Sequence, residues 1–183
     1  MMKNITDRIV FIPDFIHNAQ TLFEDLVANT RWDENMRARK TACFGEPYDY
    51  SEQEYDFQPM SNKMETIVDL IKDEIGFRPN NCLLNYYENG KSKMGFHGDT
   101  IKMLEPDTGI AIVSVGDSRI FQVRRKNNPT ELYNYILPNG SLFYMPNDMQ
   151  ADWQHGLPKV VGAKGRISLT FRKMIPRDLL EER

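Results

Sequence analysis

The stretch Ile110–Met145, IAIVSVGDSRIFQVRRKNNPTELYNYILPNGSLFYM, decides the fold class. Its runs IAIVSVG, RIFQVRR, LYNYIL and SLFYM are short and rich in β-branched and aromatic residues, and the turn formers KNNP and LPNG separate the later ones, with MPND following. Such side chains fit a pleated, half-buried surface, while Asn, Gly and Pro supply the backbone angles that reverse a chain. Short strands joined by turns pair antiparallel, so the segment predicts an antiparallel barrel or jelly roll. CLLNYY, Cys82–Tyr87, carries the same pattern upstream.

Before Cys82 the period changes. After a short β-like run, Arg8–Ile12, the residues Ala19, Leu22, Phe23, Leu26 and Val27 share one helical face, with Asn18 placed to cap it. Met64, Ile67, Val68, Ile71 and Ile75 do the same between Ser61 and Ile75, where Gly76 supplies a C-terminal stop. The stretch between these helices is the most irregular. Helices on the N-terminal side and strands on the C-terminal side predict an α+β chain in which N-terminal helices buttress a β-sandwich.

A chain of 183 residues, 40% hydrophobic and 11% aromatic, can bury one good core, and a single domain is expected over residues 1–183. Within it, a helical and loop part covers about 1–80 and the β core about 81–175. The net charge of -3 argues against a protein that wraps nucleic acid over its whole surface but leaves room for a local basic patch. Cys43 and Cys82 have no CxxC spacing, so neither a disulfide framework nor a zinc knuckle is supported and a reducing compartment is the simpler home. With no signal-peptide or membrane-span pattern, a soluble, intracellular, cytoplasmic or nuclear protein with no membrane partner is expected, acting as a monomer.

Of three histidines, two lie in the strand-rich half. In GFHGD, His97 and Asp99 are two residues apart, so an extended backbone turns an imidazole and a carboxylate to one face, and Gly95 and Gly98 leave space around them. His155, in DWQHGLP, is the reasonable third ligand. Two histidines and one carboxylate leave open positions on an octahedral iron(II), enough for a chelating co-substrate and dioxygen, which a tetrahedral zinc site does not. An HxD pair alone carries little weight. His17, at the start of the first helix, reads as a surface or capping residue.

The last strong strand, GRISLTFRK (Gly165–Lys173), alternates cleanly: Arg166, Ser168, Thr170 and Arg172 on one face, Ile167, Leu169 and Phe171 on the other. Alternation alone also fits a solvated outer face. Arg166 follows His155 by eleven residues, which allows a turn and a return strand to bring a guanidinium beside the metal, where it can clamp a dicarboxylate.

The ordered set Asn85-Tyr86-Tyr87, His97-Gly98-Asp99, His155 and Arg166 through Arg172, spanning roughly Ala42 to Lys173, resembles the AlkB-like branch of the Fe(II)/2-oxoglutarate dioxygenases. The resemblance implies a double-stranded β-helix with Fe(II) held by His97, Asp99 and His155, and 2-oxoglutarate and O2 as co-substrates. It further implies that Arg166 pairs with the distal carboxylate of 2-oxoglutarate, helped by Tyr87 and Ser168, while Arg172 and Asn85 lie near the carboxylate that chelates iron. The implied reaction is oxidative demethylation of N-alkylated bases in DNA or RNA, with release of formaldehyde, succinate and CO2.

Arg31, Arg37, Arg39 and Lys40 precede Phe44, Tyr48, Tyr50, Tyr55 and Phe57, a mixture suited to phosphates and base stacking, and FGEPYDYSEQEY looks like the family's substrate-covering loop. Arg124, Arg125 and Lys126 form a second candidate basic group. One departure stands against base recognition. Base-repairing relatives carry an acidic residue shortly after the metal aspartate, whereas this chain continues Thr100, Ile101, Lys102, and Ile101 cannot accept a hydrogen bond. Tyr48, Tyr50 and Ile101 are thus the candidate substrate residues, and the alternative is a hydroxylase of a small molecule, nucleoside or peptide side chain.

Overall fold

The computed structural model describes residues 5–48, 55–176 and 179. In chain order it contains a 3-10 turn (Ile5–Asp7), β1 (Val10–Ile12), α1 (Ala19–Asn29), β2 (Lys40–Gly45), α2 (Asn62–Ile75), β3 (Asn81–Tyr87), β4 (Met94–His97), β5 (Gly109–Gly116), β6 (Arg119–Arg125), β7 (Leu132–Leu137), β8 (Ser141–Pro146), α3 (Met149–Asp152), β9 (Trp153–Leu157) and β10 (Arg166–Arg172). The strands form a six-stranded sheet, β1-β8-β5-β10-β3-β2, and a four-stranded sheet, β4-β9-β6-β7. Neighbouring strands pair antiparallel throughout. This is the double-stranded β-helix, or jelly roll, of the α+β reading.

Alternation along the strands builds two cores. One face of the large sheet, with Leu84, Val113, Ile167, Leu169 and Phe171, packs under Leu22 and Leu26 of α1 and Ile67, Val68 and Ile71 of α2. The opposite face, with Leu83, Ile112 and Phe143, meets Phe121, Val123 and Leu157 of the small sheet. Each helix presents its apolar stripe to the sheet because those residues recur at helical spacing. For α2 the ends agree with the local chemistry: Ser61 Oγ accepts from the Met64 backbone N at 3.3 Å, and Gly76 closes the helix at φ +93°, where a residue with a Cβ would be strained. Asn18 stands at the cap position of α1 but makes no side-chain cap bond.

Three expectations need correction. The irregular stretch between the helices contains β2, which pairs with β3, and β1 occupies the other edge of the large sheet, so the chain before residue 81 supplies both edge strands as well as helices. His155 and Arg166 do not lie on a strand and its return: β9 pairs with β4 and β6 in the small sheet, whereas β10 sits between β3 and β5 in the large one. The segment between them crosses from one sheet to the other, so the two side chains approach across the barrel. Gly98 gives close approach instead of empty space, since a Cβ there would lie 3.3 Å from the Gln150 carbonyl oxygen, while Gly95 is open.

Candidate active site

β10 is buried along its whole length, so the polar face Arg166, Ser168, Thr170, Arg172 looks into the barrel and not into solvent. That face, together with Asn85 and Tyr87 of β3, His97 of β4, Asp99, and His155 of β9, lines one pocket between the sheets. The period of two places these groups there: Ser168 is registered with Asn85 and with Ser114, and Arg166 with Tyr87.

His97 and His155 are partners in the β4–β9 ladder, with ring centroids 4.4 Å apart. Asp99 Oδ1 lies 3.5 Å from Nε2 of each imidazole. All three ligand atoms fall within 4.8 Å of one another, close enough to share one cation. His97 Nδ1 is 3.0 Å from the Gly95 carbonyl oxygen, which can only accept, so Nδ1 carries the hydrogen and Nε2 keeps its lone pair for a metal. Phe121 stacks on His155 at 5.5 Å and fixes its ring plane.

The second oxygen of Asp99 is already engaged. Arg172 donates to Oδ2 from Nε at 3.0 Å and from Nη2, and its guanidinium rests on the Tyr48 ring, 4.1 Å from the centroid. Gln150 Oε1 accepts from the Asp99 backbone N at 2.9 Å, which ties the aspartate to α3. Asp99 therefore offers a metal one oxygen. Burial works against its ionised form, but Arg172 and the two histidines more than offset that and hold the carboxyl well below the usual carboxylate range. Burial pushes the His155 imidazole below its ordinary 6.5 against the opposing pull of Asp99, which favours the neutral form a metal requires.

At the other end of the pocket, Arg166 is 1% exposed and donates from Nη2 to Ser114 Oγ at 2.8 Å. Its Nε is buried with no hydrogen-bond partner among the described residues. Burial brings its pKa down to about 10, with Tyr87 opposing and Arg119 adding to the shift, so it is still a cation at neutral pH. A buried guanidinium with an unused donor is costly unless an anion completes it. Two nitrogens and one oxygen suit iron(II) with open positions, and the incomplete Arg166 suits the distal carboxylate of a dicarboxylate chelated at that iron. The residues present fit both groups.

Other sequence candidates fall elsewhere. Tyr48 is fully buried beneath Arg172, and its hydroxyl accepts from the Thr100 backbone N at 3.4 Å. Tyr50 lies outside the described residues. Ile101, 39% exposed, lines a different cleft with Lys102, Thr108 and Asn147. Phe44 belongs to β2, Tyr55 bonds Thr41 Oγ1 at 2.9 Å, and Phe57 is exposed. Arg31 and Arg37 are exposed, but Lys40 is paired with Glu34 and Glu88. Arg124 stacks on Phe96 and bonds Gln154, Arg125 pairs with Glu131, and Lys126 bonds the Gln150 carbonyl, so this group braces the β6–β7 hairpin and α3. His17 is exposed next to Asp14.

Sequence reasoning missed Ser114 and Gln150, and it placed Arg39 among the surface cations suited to phosphates instead of in the pocket. Arg39 is buried in the pocket wall, with Nε donating to Asn85 Oδ1 at 2.6 Å, which leaves the Asn85 amide NH2 free to donate. Ser114 had a signal: one hydroxyl inside the apolar run IAIVSVG. Arg39 and Gln150 had none, since each partner lies far away in the chain.

A model described as the 2OG-Fe(II) oxygenase superfamily matches residues 11–172. The chain belongs to that superfamily. Within it this oxygenase is of the AlkB-like type. It is 31% identical over 195 residues to the human "Alpha-ketoglutarate-dependent dioxygenase alkB homolog 3", covering 92% of this chain and 67% of that one. It is 33% identical over 150 residues to the mouse "DNA oxidative demethylase ALKBH2", covering 75% of this chain and 62% of that one. The solved structure of OsALKBH1 superposes with a TM-score of 0.70 at 17% identity, over 91% of this chain and 98% of that one, a likeness of fold. The oxygenase is an oxidoreductase dependent on iron(II), 2-oxoglutarate and dioxygen. Among the described residues no helix is long and apolar enough to cross a membrane.

Proposed function

We propose that this oxygenase removes N-alkyl groups from bases in DNA or RNA by oxidation. The observation that carries the reading is the meeting, in one buried pocket, of the His97–Asp99–His155 donor set with the incomplete cation Arg166, in a chain similar to a protein named a DNA oxidative demethylase. When bound, iron(II) and 2-oxoglutarate supply activation of dioxygen coupled to decarboxylation to succinate and CO2. The chain's own groups do the rest. His97, Asp99 and His155 hold the metal, and Arg172 fixes the Asp99 carboxylate so that one oxygen faces it. Arg166, with Ser168 and Tyr87 beside it, takes the distal carboxylate, and the Asn85 amide donates near the chelating one. Leu83, Ile112, Phe121 and Leu157 keep water from the pocket. Oxidation of an N-methyl carbon gives a hydroxymethyl amine that breaks down to formaldehyde and the free base. A base inside a duplex has to be flipped out to reach the pocket.

Ile101, with the acidic net charge, is the sequence feature that favours a small-molecule hydroxylase. Ile101 lines a cleft other than the metal pocket, and the similarity to a protein named a DNA oxidative demethylase supports the base-directed reading over that alternative. We further infer one domain over residues 1–183, acting as a monomer in a compartment where the buried Cys43 and Cys82 stay thiols.

The test is product stoichiometry. With iron(II), ascorbate, 2-oxoglutarate and an oligonucleotide bearing 1-methyladenine or 3-methylcytosine, formaldehyde should match succinate, and the unmodified oligonucleotide should give no formaldehyde. Succinate without formaldehyde, with turnover stimulated by a metabolite and not by the oligonucleotide, overturns the substrate assignment and keeps the oxygenase.

A further inference from the structure

Arg119 opens β6 in the small sheet and, like Arg166, is 1% exposed. Its guanidinium donates only to backbone carbonyls: Asn89 O at 3.3 Å, Ser92 O at 2.9 Å and Pro158 O at 2.7 Å. Its Nε has no hydrogen-bond partner among the described residues. Those carbonyls belong to the two loops that leave β3 and β9. The loops press together so closely that a Cβ on Gly90 would lie 1.7 Å from the Val160 carbonyl oxygen, and Val160 N donates to Gly90 O at 3.0 Å.

Tyr87 stands between two buried cations, with the Arg166 guanidinium carbon 5.5 Å from its ring centroid and that of Arg119 6.0 Å away. Neither arginine forms an ion pair among the described residues. The nearby Asp117 carboxylate accepts from the Ser118 and Lys164 backbone N groups instead. One end of the pocket thus has a buried cation in its wall, Arg166, and a second behind Tyr87, Arg119, whose charged form Asp117 favours from nearby without bonding to it. In a medium of low polarity a charge acts well beyond hydrogen-bond distance, and three carbonyl bonds hold Arg119 in place without neutralising it.

We propose that Arg119 is a specificity-determining residue for the co-substrate: a second buried cation, behind Tyr87, that selects a dianionic 2-oxo acid over a monoanionic one. It touches no reacting atom, and it acts through its field and by holding the Tyr87 ring. The inference rests on the assignment of Arg166 to the distal carboxylate.

The experiment is equilibrium binding to the Mn(II)-loaded full chain by calorimetry, comparing 2-oxoglutarate with 2-oxopentanoate, which lacks the distal carboxylate. Arg119→Gln should weaken 2-oxoglutarate about tenfold and 2-oxopentanoate less than about twofold, since only the former feels the lost charge. Arg119→Lys keeps the charge and should hold the ratio of the two affinities within about threefold of wild type. If Arg119→Gln weakens both acids alike, or neither, Arg119 only staples the loops and the inference fails. Should Arg119→Gln not fold, Arg119→Lys decides: an unchanged ratio supports the selection role, and a collapsed one overturns it. Arg166→Gln is the check on the underlying site. If 2-oxoglutarate binds that variant as well as wild type, the site assignment itself has failed.

Discussion

Asp99 gives one carboxylate oxygen to Arg172 and turns the other toward two imidazole nitrogens, each 3.5 Å away, so the oxygen proposed for the metal and the buried ion pair belong to one group. Removing Arg172 leaves a buried carboxylate with only histidines for company. Arg172→Met should therefore destabilise the metal-free protein by about 3 kcal/mol in urea unfolding, and an unchanged midpoint would show the pair to be dispensable. His155 sets a pH dependence. Burial holds its folded value below 6.5, so as the pH falls through 6.5 the unfolded chain takes up a proton that the folded chain resists. Stability from this group is full above 6.5 and is lost as the pH falls toward the folded value. The difference in unfolding free energy between wild type and His155→Gln should shrink from about pH 7 to about pH 5 in metal-free protein, whereas a difference that grows on acidification would reverse the sign. At this scale the meeting of His97 with Asp99, and of Arg166 with Ser168, was legible because HxD and a two-residue alternation place side chains by local geometry alone. Gln150 on Asp99 and Arg39 on Asn85 were not, because contacts across 51 and 46 residues leave no local trace.

β10 is the element that joins core to site, with one face under the helices and the other in the pocket. Two neighbouring truncations separate the faces. Leu169→Ala opens a cavity against the helices and should cost about 2–5 kcal/mol of stability with little change in 2-oxoglutarate affinity. Ser168→Ala should do the opposite, lowering that affinity with a small stability change, and matching effects of the two variants would mean that the faces are not distinct. The alternation that defines β10 is plain in RISLTFR, as is the spacing of α2. β2 and β4 were hidden for physical reasons. KTACFG has no clean alternation and is a strand because β3 offers it an edge, and MGFH is four residues long with an irregular register against β9.

For the whole molecule, antiparallel strands and flanking helices were legible from composition and turn chemistry, but the partition into two sheets was not. The crossing from β9 to β10 depends on which neighbours bury the apolar face of Ile167, Leu169 and Phe171, and that is a property of the assembled barrel. The same crossing sets His97 and His155 of one sheet against Arg166 and Arg172 of the other, the arrangement proposed to hold a metal and a dicarboxylate. The central claim is that this juxtaposition holds iron(II) and 2-oxoglutarate together. It is tested most directly by the visible charge-transfer absorption of anaerobic protein titrated with iron(II) and 2-oxoglutarate. Wild type should develop a band that needs both components, Asp99→Ala should develop none, and Arg166→Gln should need more 2-oxoglutarate to reach it. A band that survives Asp99→Ala, or none in wild type, would contradict the account.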